Sequence, residues 1–71
     1  MQAESGGKIE LSPRELETLR DMHDGLSRAD IAAKYGLSLN TVKLHINSVY
    51  NKLGAYDRAE VFRIASENNL L

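Results

Sequence analysis

The sequence predicts an all-α domain, a compact bundle of four helices with a very short turn between the second and the third. Three observations predict it. Four capping residues, Ser12, Ser27, Ser38 and Asp57, each precede a run whose apolar residues recur three and four positions apart, the period of a helix. Nowhere does the apolar–polar alternation of a half-buried strand persist. The 71 residues include no cysteine, so neither a disulfide nor a thiolate zinc site can stand in for packed side chains, and helix packing is what so short a chain can close.

The elements follow in order. In Leu11-Ser12-Pro13-Arg14-Glu15-Leu16, Ser12 caps, Pro13 suits the first helical position, Glu15 completes a capping box, and Leu11 with Leu16 forms a hydrophobic staple. Leu16, Leu19, Met22, His23 and Leu26 then share a stripe until Gly25 ends the helix, so His23 is expected to be packed and hydrogen-bonded. Ser27 with Asp30 opens a helix of about two turns, with Ile31, Ala32 and Tyr35 inward and Gly36 as its left-handed stop. Only Leu37 and Ser38 separate it from a third, longer helix ending at Gly54. Two helices joined by so tight a Gly-containing turn make a helix-turn-helix. Asp57, with Glu60 three residues on, opens the fourth helix, which carries Ala59, Val61, Phe62, Ile64 and Ala65. Residues 1–10, polar and bearing two glycines, read as a flexible tail or linker remnant, and residues 11–71 as the domain.

Charge is uneven along the chain. The net value is −1, yet residues 1–26 hold three Lys/Arg against six Asp/Glu, residues 27–53 four against one, and residues 54–71 two against three. A basic middle between acidic ends suits a binding face for a polyanion, although solvated charge produces the same blocks. No apolar run approaches the roughly 20 residues that cross a bilayer, and the start lacks the order of a secretion signal, so a soluble, cytoplasmic protein without membrane contact is expected. Two histidines without cysteine or a carboxylate pair make no metal site. With no nucleophile–base set and no phosphate-cradling glycine loop, neither catalysis nor a cofactor is expected.

The third helix carries the informative chemistry. At about 100° per residue, Leu39, Val42, Ile46, Val49 and Leu53 form the core stripe, with Tyr50 at its edge. The opposite face presents Asn40, Lys43, Leu44, Asn47 and Asn51. Such a helix fits the major groove of DNA, where lysine reaches guanine acceptors, asparagine pairs with adenine and an apolar side chain touches the thymine methyl. Lys43, Asn47 and Leu44 supply these in turn, with Asn40 beside them. Along one border Thr41, His45, Ser48 and Lys52 suit phosphate oxygens, and the free N–H groups behind Ser38 add a further anion site. A merely solvated face would present the same residues. On the fourth helix Ile64 lies away from Phe62, in line with Asp57 and Glu60, which fits either a homodimer contact or an isolated surface isoleucine. Arg58 is expected to pair with an acid of the first helix such as Glu15.

These residues resemble the DNA-binding domain of the LuxR family, also called the GerE or NarL type. The resemblance rests on Leu11-Ser12-Pro13-Arg14-Glu15-Leu16-Glu17, Gly25-Leu26-Ser27-Arg28-Ala29-Asp30-Ile31-Ala32, Leu37-Ser38-Leu39-Asn40-Thr41-Val42-Lys43-Leu44-His45-Ile46, Lys52-Leu53-Gly54 and Arg58-Ala59-Glu60. It implies a bacterial transcription regulator that binds double-stranded DNA through the third helix and dimerises through the fourth, at Asp57, Glu60 and Ile64. It further implies base contacts at Lys43, Leu44 and Asn47, and backbone contacts at Thr41, His45, Ser48, Lys52 and the start of the second helix, Ser27 and Arg28. The family often carries a basic residue or threonine where Leu44 stands, which bears on the sequence read. The other function class is a protein-interaction module that binds RNA polymerase or another regulator on the same scaffold. Phosphate contacts are expected to supply most of the affinity and to make it fall steeply with salt.

Overall fold

The structure, a computed structural model, describes residues 9–71. The expected tail at residues 1–10 therefore lies mostly outside the described residues; of its last two, Ile9 packs against the core. Four helices follow: α1 (Pro13–His23), α2 (Arg28–Tyr35), α3 (Leu39–Leu53) and α4 (Arg58–Glu67), and no strand occurs among the described residues. Each helix starts where a side chain relieves its unpaired N–H groups. Ser12, Ser27, Ser38 and Asp57 accept from the backbone N–H three residues ahead, and Glu15 and Asp30 close capping boxes on α1 and α2.

All four helices also end the same way. A left-handed residue (Gly25, Gly36, Gly54 or Asn69) is followed by an apolar one whose N–H bonds back five residues: Leu26 to Asp21, Leu37 to Ala32, Ala55 to Tyr50 and Leu70 to Ala65, at 2.9–3.1 Å. The apolar residue then folds onto the core, so each stop also adds to the packing. At Gly36 this conformation sets the turn of the helix-turn-helix, since it lets α3 begin with only three residues between it and α2. The C-terminal stop is tied down further by Arg20, whose Nε donates to the Leu70 carbonyl at 3.1 Å.

α3 is the central element and packs against each of the other three helices. One core cluster comprises Leu19, Val49, Leu53, Val61 and Ala65, the other Met22, Ile31 and Val42; Tyr50 and Phe62 pack on both and join them. Two acids of α1 fasten its neighbours. Asp21 accepts from Lys34 Nζ at 2.8 Å and from the Tyr35 hydroxyl at 2.6 Å, holding the end of α2, and Glu15 does the same for α3. Burial pushes the Asp21 carboxyl up, but Lys34 and Tyr35 together outweigh it and leave the group below its ordinary value. Thr18, fully buried between these acids, gives its hydroxyl proton to the Arg14 carbonyl at 2.8 Å.

Three expectations need correction. His23 is exposed, its ring edge-on to Phe62 at 5.2 Å, because the buried stripe of α1 is centred on Leu19 and Met22 and extends towards Glu15 and Thr18 instead. Leu39 is 46% exposed: as the first residue of α3 its side chain points back beyond the helices that cover Val42. Arg58 does not pair with Glu15. Its Nη2 donates to the Met22 carbonyl at 2.9 Å and its guanidinium lies 5.4 Å from the Phe62 ring centre, because Glu15 is already occupied by α3.

Candidate nucleic-acid interface

The 15 residues of α3 divide as their period requires. Val42, Val49 and Leu53 are buried, and Asn40, Lys43, Leu44, Asn47 and Asn51 are exposed on the other side, Leu44 at 67%. The hydrogen bonds that α3 side chains make to other described residues engage Thr41, Ser48 and Lys52, and none involves Asn40, Lys43 or Asn47. The face therefore carries one cation and three amides whose hydrogen-bonding capacity is unused among the described residues, with one apolar group between them.

At the start of α3 the Ser38 hydroxyl accepts from Thr41 N–H at 3.1 Å and lies 2.9 Å from the Thr41 hydroxyl, which places two hydroxyls beside the free N–H groups of the first turn. His45, half-buried, has its Nδ1 enclosed without a partner. Ser27 and Arg28, at the start of α2, are exposed. An open groove of about 410 Å³ is lined by Ser27 and Arg28, by Asn47 and Tyr50, and by Met22 and Arg58, so the start of α2 and the middle of α3 border one space.

Ser48 and Lys52 are engaged within the fold. The Ser48 hydroxyl donates to Glu15 Oε2, and Lys52 Nζ donates to Glu15 Oε1 at 2.8 Å. These two bonds, Lys52 first, with the Ser12 N–H at 2.9 Å, hold the Glu15 carboxyl down at about 2 despite its burial. Sequence reasoning read Glu15 as a capping residue and as a partner for Arg58, not as the anchor of α3. The signal that reveals more is its spacing from Leu19 and Met22, which puts the carboxylate on the buried stripe of α1. Of the four cations in residues 27–53, Lys34 and Lys52 are thus paired with acids of α1, and Arg28 and Lys43 are not paired within the described residues.

On α4, Asp57 is occupied as the cap, Glu60 accepts from Tyr56 N–H at 2.9 Å and pairs with Arg63 at 3.4 Å, and Ile64 is half-buried against its own core. Ile64 and Phe62 flank the buried Val61 and Ala65 on either side rather than occupying separate faces. Tyr56, not singled out by the sequence, is 90% exposed just before this helix.

Fold and site together define a four-helix helix-turn-helix domain with an open polar face on the second helix of the motif. Residues 10–65 match the family described as bacterial regulatory proteins, luxR family, and the chain belongs to that family. The probable transcriptional regulatory protein SgaR of Hyphomicrobium methylovorum is 45% identical over 49 residues, 69% of this chain and 23% of that protein. The transcriptional activator protein EsaR of Pantoea stewartii subsp. stewartii is 38% identical over 68 residues, covering 96% and 27% respectively. Among solved structures, that of the response regulator ChrA of a heme-sensing two-component system superposes with a TM-score of 0.81 at 39% identity, over 87% of this chain and 31% of that one. The chain thus spans about a quarter to a third of the length of these relatives, which are described as regulators rather than enzymes. Among the described residues no helix is long and apolar enough to cross a membrane.

Proposed function

We propose that the chain binds double-stranded DNA sequence-specifically as the effector domain of a bacterial transcription regulator, with α3 lying in the major groove. The observation that carries this reading is the exposed face of α3, where Asn40, Lys43, Leu44 and Asn47 stand together with no intramolecular partner among the described residues. Lys43 and Asn47 discriminate guanine and adenine by about 1–3 kcal/mol each, and Leu44 packs on a thymine methyl. Asn40 extends the set towards the helix start.

Phosphates are met by Ser38 and Thr41 at the N-terminus of α3, by Ser27 and Arg28 at the N-terminus of α2, and by His45. Because Lys34 and Lys52 are paired, Arg28 and Lys43 carry most of the salt dependence contributed by this segment, which is shallower than the four cations imply. The α4 flank with Asp57, Glu60 and Ile64 forms the homodimer contact. What supports it is the half-exposed Ile64, with the apolar surface of Tyr56 at the start of the same helix.

Selection from a random duplex library at moderate salt, repeated with Lys43→Ala, tests the reading. The expected result is enrichment of two inverted half-sites that disappears in the variant while its helical circular dichroism is kept. A folded wild-type protein that enriches no sequence refutes it and favours an interaction module for polymerase or another regulator.

A further inference from the structure

We propose that Glu15 sets the limit of the phosphate-facing edge of α3, by holding the Ser48 hydroxyl and the Lys52 ammonium out of the DNA contact. The inference rests on α3 being the DNA-reading helix. Thr41, His45, Ser48 and Lys52 follow one another along a single border of that helix, and in sequence nothing distinguishes the first two from the last two. The carboxylate of Glu15 divides them.

The division follows from proton and charge bookkeeping. A serine hydroxyl has one proton to give, and that of Ser48 is given to Glu15 Oε2; a phosphate approaching it would meet lone pairs. Lys52 with Glu15 carries no net charge, so docking DNA beside the pair displaces no counterion on its account. Lys52 cannot leave cheaply, because the Glu15 side chain is only 10% exposed and would remain enclosed as an unpaired anion. The pair also persists over the range in which DNA binding is measured, since the carboxyl stays ionised. The half of the border nearer the helix start is thus open to phosphate and the other half closed. Glu15 acts as a positioning residue that restrains non-specific affinity.

The test is duplex affinity measured against salt for the wild type, Glu15→Gln, Glu15→Gln/Lys52→Met and Ser48→Ala. Glutamine preserves the capping box, and circular dichroism verifies that each variant is folded. Glu15→Gln is expected to free Lys52, raising affinity several-fold at low salt and steepening the slope of log K against log salt by about 0.9. The double variant replaces an ion pair by a neutral pair and is expected to return to the wild-type slope. Ser48→Ala, which requires no change at Glu15, is expected to bind within about twofold of wild type, whereas loss of a phosphate hydrogen bond weakens binding about tenfold. The proposal is overturned by a double variant whose slope falls about 0.9 below wild type, by an unchanged slope in Glu15→Gln, or by a tenfold loss in Ser48→Ala. A wild-type protein that binds no duplex at all overturns the DNA reading itself and is thereby told apart from these results.

Discussion

Acidification is a direct probe of how α3 is fastened to α1. The Glu15 carboxyl lies at about 2 in the fold against an ordinary value of 4.5. Between these values the unfolded chain binds a proton that the folded chain refuses, so stability is fully present above about pH 5 and is lost as pH falls towards 2. A displacement of this size corresponds to roughly 3 kcal/mol at most. Lys52 is 43% exposed, and solvent screening of the pair lowers the realised contribution to about 1–2 kcal/mol. A domain of this length holds only about 4–10 kcal/mol in total, so the loss is easily measured. Urea unfolding followed by circular dichroism at intervals from pH 7 to pH 2.5, on the wild type and Glu15→Gln, reads it out. The wild type is expected to lose about 1–2 kcal/mol more than the variant over this range. The variant keeps a residual slope of the same sign from Asp21, whose carboxyl is also held below its ordinary value by Lys34 and Tyr35. Parallel curves for the two proteins would refute the assignment of the Glu15–Ser48–Lys52 cluster as an ionised anchor.

Two further substitutions test the fold. Leu19 is fully buried in the larger core cluster, and Leu19→Ala is expected to cost about 2–5 kcal/mol; a melting temperature lowered by less than a few degrees would show that the cluster does not hold the helices. A Cβ at Gly36 meets nothing within 4 Å, so Gly36→Ala is expected to cost only the strain of a left-handed backbone, about 1 kcal/mol, with Gly36→Asn milder; equal melting of alanine and asparagine variants would argue against that conformation.

Much of the fold is legible because its determinants are local. The caps Ser12, Ser27, Ser38 and Asp57 act within three residues, the stops at Gly25, Gly36 and Gly54 within five, and the period of α3 separates Val42 and Val49 from Lys43, Leu44 and Asn47. Each can be read from a short window, and four helix boundaries follow. The sequence by itself thereby determined the helix-turn-helix and the polar face of its second helix. His23 and Leu39 were misplaced because periodicity gives a direction around a helix and not where a neighbouring helix stops covering it.

Only the tertiary structure decided which polar groups remain available. Ser48 and Lys52 share a helix border with Thr41 and His45, and Lys34 belongs to the same basic segment as Arg28 and Lys43, yet three of these side chains are taken up by acids of α1. Glu15 meets Ser48 and Lys52 across 33 and 37 positions of chain, and Asp21 meets Lys34 across 13. Such pairings are set by how the helices cross, since an ion pair depends on a few ångströms of separation and on burial, and neither is encoded in local spacing.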